Sequence, residues 1–171
     1  MVGIGGGFEY FDENRVVDVD KMIEELSPAI KKINDAGLLF GYHNHDFEFF
    51  GEVGSRTIDK IYEKPDWMII LDTGWADLAG ADIVETIYRF KDRLKYVHLK
   101  DFDKTPAEDG TPGRLITPLY YGQTPVDTII KTLKEVNTVA AYVEQDNAPN
   151  SGDSWNEMKK SIDGLKKKGW I

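Results

Sequence analysis

The stretch that decides the fold is Leu38-Leu39-Phe40-Gly41-Tyr42, which is apolar and ends in His43-Asn44-His45-Asp46. Three later stretches have the same form. They are Trp67-Met68-Ile69-Ile70-Leu71 before Asp72-Thr73-Gly74, Leu94-Lys95-Tyr96-Val97 before His98-Leu99-Lys100-Asp101, and Val139-Ala140-Ala141-Tyr142-Val143 before Glu144-Gln145-Asp146. Each is short, mostly apolar on both faces and followed by polar residues, which is typical of buried parallel strands. The pattern therefore predicts parallel strands with polar side chains at their carboxyl ends.

Amphipathic segments lie between the predicted strands. Helical spacing of apolar residues predicts helices over residues 19–36, 56–63, 81–92, 125–136 and 153–168. In the first of them Pro28 is expected to bend the helix or delay its start. Residues 1–9 are expected to add a short strand and a glycine-rich turn, and residues 101–124 a long functional or mobile loop. This alternation predicts one α/β domain over residues 1–171, with parallel strands and right-handed crossovers.

Composition and charge exclude several classes of protein. The chain has 171 residues with 30 acidic and 21 basic side chains, a net charge of -9 and no cysteine. Its acidic balance argues against a nucleic-acid partner, and the missing cysteines exclude disulfides and thiolate metal sites. The apolar runs are too short to span a bilayer, and the sequence opens without a signal-peptide pattern. We therefore expect a cytoplasmic protein that binds neither nucleic acid nor membrane.

All three histidines and two carboxylates follow predicted strands directly. They are His43, His45, Asp72, His98 and Glu144. In a parallel barrel the carboxyl ends of all strands face the same rim, so these side chains are expected to converge. His43 and His45 are two residues apart on an extended segment, so their side chains should point the same way. Nitrogen and oxygen ligands suit Mn²⁺, Zn²⁺, Co²⁺ or Mg²⁺, which would polarise a carbonyl while a carboxylate moves a proton.

The same residues also have purely structural interpretations. A histidine beside a buried strand is often only hydrogen-bonded, Asp72 before Thr73-Gly74 can form a turn, and Glu144 can be a solvated carboxylate. Lys100 and Asp101 can pair with each other at a loop entrance. These interpretations must account for four strand ends separately, so the metal site is favoured. The glycines from Gly3 to Gly7 do not predict a nucleotide site, since Phe8 replaces the last glycine of the dinucleotide pattern.

The four motifs, in this order, resemble those of the sugar phosphate isomerase/epimerase family. Its members are xylose isomerase-like TIM barrels, related in fold to endonuclease IV, and the similarity runs from residue 19 to the C-terminus. The resemblance implies one divalent metal ion, held by Asp72, His98 and Glu144 after the sixth, seventh and eighth barrel strands. His43 stands where many family members have a glutamate that binds the metal and shuttles a proton, so it is expected as the fourth ligand.

The resemblance implies an isomerase or epimerase of a small sugar, sugar phosphate or related keto-polyol. Glu144 and His43 are the expected catalytic residues, with His45 as an alternative to His43. Substrate contacts are expected from His45, Trp75, Lys100 and Asp101. Some relatives are dehydratases of keto-inositols, so a lyase with the same site is an alternative. The two-glutamate mechanism of the epimerases does not transfer directly, because His43 is not a carboxylate.

The resemblance further implies a shortened barrel. In the family the motif that contains His43 lies on the fifth of eight strands, whereas only residues 1–42 precede it here. The expected fold is therefore a partial TIM barrel of four to five parallel strands, which lacks roughly the first three βα units. Its open sheet edges would invite another chain. We expect either a homo-oligomer or a fragment of a longer gene product, and a non-catalytic, oligomerising relative is the third functional hypothesis.

Overall fold

The computed structural model describes residues 1–6, 8–12, 16–136, 138–148 and 152–171. Its strands are β1 (Val2–Gly5), β2 (Phe40–His43), β3 (Trp67–Asp72), β4 (Leu94–Leu99), β5 (Asp101–Asp103), β6 (Leu115–Thr117) and β7 (Ala140–Val143). Five of them form a parallel sheet in the order β1-β2-β3-β4-β7. Within the described residues this sheet does not close on itself, which confirms the prediction of a partial barrel.

Helices connect the parallel strands. They are α1 (Val19–Asp35), α2 (Thr57–Tyr62), α3 (Thr73–Leu78), α4 (Ile83–Phe90), α5 (Val126–Glu135) and α6 (Ser154–Lys167). All but α3 match a predicted helix to within two residues at each end. The expected late start of the first helix is wrong, because α1 begins at Val19 and contains Pro28. Asp18 caps this helix by accepting a hydrogen bond from the amide of Lys21 at 3.1 Å. None of the described helices is long and apolar enough to cross a membrane.

The sequence did not predict a hairpin, made of β5 and β6, or the helix α3. The segment 101–124 is only partly a loop, because β5 and β6 pair in an antiparallel hairpin directly after β4. The helix α3 was missed because it follows β3 directly and its start, Asp72-Thr73-Gly74, also fits a turn. Asp72 begins this helix as its N-cap, and its Oδ1 accepts a hydrogen bond from the amide of Trp75 at 3.0 Å. Both elements lie at the carboxyl ends of strands, where the candidate site is.

The two faces of the sheet have different surroundings. Trp67, Ile69 and Leu71 of β3 lie in the hydrophobic core together with Ile87 and Phe90 of α4. The opposite face has an open cavity of about 280 Å³, and the side chains that line it are Met1, Ile70, Tyr96, His98 and Tyr142. One face is thus covered by helices, and the other is the inside of an incomplete barrel.

Glycines let the strands of the open face pack tightly at β1 and β2. A Cβ atom added to Gly3 or Gly41 would lie 2.9 Å from the Cδ1 atom of Ile70, which is closer than real contacts allow. The side chain of Ile70 therefore occupies the space that side chains at both positions would need. The neighbouring part of this face, around β4 and β7, contains Tyr96 and Tyr142, whose ring centroids are 5.8 Å apart.

A buried ion-pair network joins α2 to α4. Asp59 is 2% exposed at its side chain, and its carboxylate lies 2.9 Å from Nε of Arg56 and 3.1 Å from Nη2 of Arg89. The amide of Gly54 also donates a hydrogen bond to this carboxylate, at 2.7 Å. Burial acts to raise the pKa of Asp59, but these hydrogen bonds and the two arginines outweigh it and hold the pKa below its usual value.

The variant Asp59→Asn tests this network. It should lower the free energy of unfolding at pH 7 by about 3 kcal/mol, because the buried Arg56 and the partly buried Arg89 lose their counter-ion. Since the folded-state pKa of Asp59 is depressed, its contribution is present at neutral pH and is lost as pH falls below about 4. Urea unfolding curves at several pH values measure both effects. Asp20→Asn is the control, since Asp20 is 86% exposed and lies 3.8 Å from Lys60. Equal curves for wild type and Asp59→Asn would contradict the assignment.

The outer strands of the sheet, β1 and β7, each pair with one neighbour in the described part of the chain. Apolar side chains are exposed along them: Val2 is 41% exposed, Val139 is 64% exposed and Tyr142 is 52% exposed. Such edges present free backbone groups that pair readily with another strand. We propose that a second copy of the chain covers them.

Sedimentation velocity tests this self-association. The wild-type chain should sediment as a species larger than 19.4 kDa at micromolar concentration, because the edges and the open face are apolar. Val139→Lys places a charge at the β7 edge and should shift the population toward monomer. Val53→Lys is the matched control, since Val53 is 60% exposed in the loop after β2. A wild-type chain that stays monomeric and folded would count against the proposal.

Candidate functional site

Four side chains converge at the carboxyl ends of four parallel strands. His43 and Asp72 end β2 and β3, His98 lies near the end of β4, and Glu144 follows β7. Asp72 and His98 are direct partners in the β3–β4 register. Each of the four offers one nitrogen or oxygen atom, and these atoms all lie within 4.8 Å of one another. The structure brings these four side chains together, and we call this set the four-residue group.

The imidazoles of the four-residue group lie close together. The His43 and His98 ring centroids are 4.7 Å apart, and Nδ1 of His98 is 2.5 Å from Oε2 of Glu144. Nδ1 of His43 is buried and has no hydrogen-bond partner in the part of the chain that the structure describes. Burial, and then the proximity of His98, lower the pKa of His43 to about 3. His43 is therefore neutral at physiological pH, which is the form of histidine that binds metals.

A buried lysine balances the carboxylates around this group. Lys100 is 1% exposed, and its Nζ lies 3.0 Å from Asp72, 3.3 Å from Glu144 and 2.9 Å from Asp146. Burial acts to lower the pKa of Lys100, but the surrounding carboxylates raise it above its usual value. Lys100 thus stays positively charged. It pairs across strand ends and not with Asp101, so the structural alternative for these two residues is wrong.

The two carboxyl groups of the four-residue group differ in character. Asp72 is completely buried, and this burial raises its pKa even though Lys100 opposes the shift. Glu144 keeps 30% of its side chain exposed. Burial acts to raise the pKa of Glu144, but the contact with His98 and the charge of Lys100 lower it below the usual value. Glu144 is therefore the ionised carboxylate that a ligand can reach.

The donor set fits a divalent cation. Two imidazoles and two carboxylates are the ligands that borderline and hard divalent ions prefer. The partnerless buried nitrogen of His43 is a donor that a metal ion would use, since buried polar atoms without partners are rare in proteins. His43, Asp72, His98 and Glu144 could thus hold a metal ion, and their chemistry does not single out one element.

Asn44 fixes the spacing between the first two strand ends. Its side chain is completely buried. Nδ2 donates to the backbone oxygen of Asp72 at 3.1 Å, and Oδ1 accepts from the backbone amide of Asp72 at 2.9 Å. The hydroxyl of Thr73 donates to the backbone oxygen of His98 at 3.0 Å and ties the next pair of strands together. These bonds hold the four-residue group in place, and sequence analysis missed Asn44.

Glu48 holds the turn that follows β2. Its carboxylate accepts a hydrogen bond from the hydroxyl of Tyr42 at 2.7 Å and from the backbone amide of His45 at 2.8 Å. Complete burial raises the pKa of Glu48 to about 7, although both hydrogen bonds oppose this. Sequence analysis also missed this residue. The available signal was an acidic residue between Phe47 and Phe49, which marks a buried carboxylate that needs partners.

His45 and Trp75 form an aromatic wall beside the four-residue group. The His45 ring lies parallel to that of Phe47 at 5.7 Å and is also 5.7 Å from the ring of Trp75. The Trp75 ring centroid lies 5.1 Å from Nζ of Lys100. His43 belongs to the four-residue group and His45 does not, although their rings are neighbours with centroids 5.2 Å apart. The structure thus favours His43 over His45 as a metal ligand.

Gly74 allows α3 to start against Lys100. A Cβ atom at this position would lie 2.7 Å from both Cβ and the backbone oxygen of Lys100. Real atoms do not approach so closely, so a side chain at Gly74 would displace Lys100 from its carboxylate partners. In the sequence Asp72-Thr73-Gly74, Asp72 is a candidate metal ligand and Thr73 hydrogen-bonds to the backbone of β4. Gly74 leaves the space that Lys100 occupies.

Asp101 has a different place from the one expected. It is completely buried, and its carboxylate accepts hydrogen bonds from the backbone amides of Tyr120, Gly122 and Thr124 at 2.9, 3.0 and 2.9 Å. These hydrogen bonds use both carboxylate oxygens and hold residues 120–124, after β6, in place. This placement does not support the predicted contact of Asp101 with a substrate, whereas Trp75, Lys100 and His45 all lie beside the four-residue group.

Comparison with known proteins gives the same fold. The model of the family described as "Xylose isomerase-like TIM barrel" matches residues 1–168. A sugar phosphate isomerase/epimerase from Parabacteroides distasonis superposes with a TM-score of 0.72 at 22% identity, over 90% of this chain and 55% of that one. A xylose isomerase-like protein from Mycobacterium smegmatis in complex with magnesium superposes with a TM-score of 0.61 at 15% identity, over 92% of this chain and 55% of that one.

A curated relative is similar in sequence. An inosose dehydratase from Geobacillus kaustophilus is 33% identical over 87 residues, which are 48% of this chain and 27% of that protein. The chain thus matches about a quarter of the dehydratase and spans about half of the structurally similar chains.

Metal binding by single-histidine variants tests the site. His43→Ala should weaken binding of Mn²⁺ or Co²⁺ by at least about 100-fold. It removes a candidate ligand itself, and loss of a residue that only hydrogen-bonds to a ligand already costs about 10- to 100-fold. His45→Ala is the matched control and should keep most of the affinity, because His45 is outside the four-residue group. Isothermal titration calorimetry with each metal measures both variants. Equal losses in the two variants, or no loss in His43→Ala, would show that the site is assigned wrongly.

Proposed function

This chain belongs to the xylose isomerase-like TIM barrel family, and from that premise we propose that its strand-end site removes a proton next to the ketone of a small polyhydroxylated substrate. The proposed overall reaction is metal-dependent isomerisation or epimerisation of a sugar or keto-polyol. The observation that carries the proposal is the four-residue group with Lys100 beside it, since it joins a divalent-cation donor set to a reachable carboxylate.

The chain's own residues have distinct tasks in this reaction. A divalent cation, when bound by His43, Asp72, His98 and Glu144, supplies polarisation of the ketone and so acidifies the neighbouring C–H bond. Glu144 is ionised and partly exposed, so its carboxylate can accept that proton. Lys100 remains protonated 3.3 Å from Glu144 and keeps this carboxylate ionised between turnovers. Return of the proton to the former carbonyl carbon, with a hydroxyl proton moved to the other oxygen, completes an isomerisation. Delivery of a proton to the opposite face of the same carbon completes an epimerisation.

The aromatic wall suits a sugar-like ring. Ligand pockets combine apolar and aromatic surfaces with a few polar groups that set orientation. The rings of His45 and Trp75 supply the apolar surface, and burial lowers the pKa of His45 so that its ring is neutral. A ring packed on this wall would present its polar edge toward Lys100 and the four-residue group.

Dehydration is the second candidate function. The similar proteins from Geobacillus kaustophilus and Clostridium perfringens are inosose dehydratases, and the same first proton transfer would serve such a reaction. After Glu144 takes the proton, the electron pair left on carbon expels a hydroxyl from the next carbon. That hydroxyl leaves as water after it takes up a proton, and an unsaturated ketone remains. The two functions therefore differ in the second step and not in the site.

Deuterium exchange and ultraviolet absorbance separate these functions. With Mn²⁺ present, the chain should exchange the α-proton of inosose or D-fructose in D₂O, which NMR detects. Growth of enone absorbance indicates dehydration, whereas a new sugar signal indicates isomerisation or epimerisation. Glu144→Gln should slow exchange by at least about 100-fold. Asp163→Asn, on the exposed side of α6, is the control and should exchange normally. No exchange and no absorbance with any substrate would favour the non-catalytic hypothesis.

A further inference from the structure

The segment that joins β5 to β6 carries a cation to the edge of the aromatic wall. Arg114 lies directly before β6, and its Nη2 is 2.6 Å from Oδ2 of Asp46. Its Cζ lies 5.7 Å from the ring centroid of Trp75. Asp46 follows His45 in the chain, so this ion pair bridges the hairpin and the turn after β2. The arginine is thus placed beside the aromatic wall.

The backbone holds Arg114 in this place. A Cβ atom on the preceding Gly113 would lie 2.7 Å from the backbone nitrogen of Thr105, so the two arms of the segment are in direct contact there. Lys104 forms an ion pair with Asp77 of α3 and anchors the other arm. The Arg114 side chain is 52% exposed, whereas that of Asp46 is 12% exposed. The backbone at Arg114 is therefore held by packing, while its guanidinium is accessible to solvent.

Arg114 and Trp75 have hydrogen-bond donors for which the described residues supply no side-chain partner. A guanidinium has five N–H donors, and within the described residues one hydrogen bond to a side chain, that of Asp46, is found for Arg114. The indole Nε1 of Trp75 is buried and has no hydrogen-bond partner among those residues. Buried donors without a partner are uncommon and costly. Hydroxyl groups of a ligand would accept hydrogen bonds from the exposed guanidinium of Arg114, and the Asp46 carboxylate can accept a hydrogen bond from a hydroxyl in return.

The charges around the site favour a neutral ligand. Arg114 and Asp46 cancel each other. Lys100 faces Asp72, Glu144 and Asp146. With all three ionised, as binding of a divalent cation would require of Asp72 and Glu144, these carboxylates exceed the lysine by two negative charges. One divalent cation would offset these two. No positive charge is then left over for a phosphate or a carboxylate on the substrate.

We propose that Arg114, Asp46 and Trp75 form a distal subsite that binds neighbouring hydroxyl groups of a neutral polyhydroxy ketone and disfavours its phosphorylated form. This inference rests on the proposed function and deepens it by naming the substrate class. In the Arg114–Asp46 pair, whose net charge is zero, the guanidinium donates hydrogen bonds and the carboxylate accepts them. One hydroxyl of a diol can therefore accept from Arg114 while the neighbouring hydroxyl donates to Asp46. The subsite lies at the aromatic wall. The hydroxyl groups of the ligand would bind there, and its ketone would bind at the four-residue group.

Calorimetric titration of the Mn²⁺-loaded chain tests the subsite without turnover. The probes are inosose, D-fructose and D-fructose 6-phosphate. The wild-type chain should bind D-fructose more tightly than its phosphate. Arg114→Ala should weaken binding of inosose and D-fructose by about tenfold, the loss of one charged hydrogen-bonding group. Its Mn²⁺ affinity and melting temperature should not change, because Arg114 is half-exposed and outside the four-residue group.

Two further variants sharpen the test. Asp46→Asn leaves the Arg114 cation without a counter-ion and should raise the affinity for D-fructose 6-phosphate relative to D-fructose. Lys131→Ala removes an exposed positive charge on α5 and should change nothing. The subsite is wrong, and the proposed function stands, if Arg114→Ala binds inosose as the wild type does. The neutral-substrate assignment is wrong if the wild type prefers the phosphate. A wild-type chain that binds neither Mn²⁺ nor inosose overturns the proposed function together with this inference.

Discussion

The buried ammonium group of Lys100 is the charge on which the arrangement of the strand ends depends. Three carboxylates from two different strand ends approach one another there, and without a cation between them their repulsion and desolvation would force them apart. Lys100 reaches this place because β4 delivers it to the rim and because Gly74 leaves room for it under α3. The lysine is therefore as much a part of the fold as of the candidate site.

Backbone geometry then sets the spacing of the site. The parallel register places Asp72 opposite His98, and the Asn44 amide makes two hydrogen bonds to the backbone of Asp72. Thr73 and the amide of Glu144 continue this pattern, because each hydrogen-bonds to a backbone oxygen of β4, that of His98 for Thr73 and that of Leu99 for Glu144. Candidate ligands that are supported in this way need little rearrangement to act together, which is the arrangement that precise chemistry requires.

Much of the fold and part of the site could be predicted from the sequence. The apolar runs identified four of the five sheet strands and their polar ends, because burial on both faces leaves a local signature. Asn44 escaped because its partner is the backbone of Asp72, whose proximity only the folded chain defines. Glu48 was missed although its partners, the Tyr42 hydroxyl and the His45 amide, lie within six residues of it in the chain. The choice between His43 and His45 depended on where β2 ends. The contacts of Asp101 were hidden for a similar reason, because its three amide partners lie some 20 residues further on.

The hairpin has a mechanical consequence for ligand exchange. Lys100 is the one residue between β4 and β5. The carboxylate of Asp101, the first residue of β5, accepts hydrogen bonds from three backbone amides. The start of the hairpin is therefore held in place and does not act as a flexible hinge. If the hairpin swung as a rigid flap, it would pull Lys100 out of its carboxylate partners. Access to the site from the side of the hairpin therefore depends on rotation of side chains at the rim and not on movement of the hairpin. On this side the half-exposed Arg114–Asp46 ion pair is the contact that would break first, because it can open by a rotamer change while the backbone stays in place.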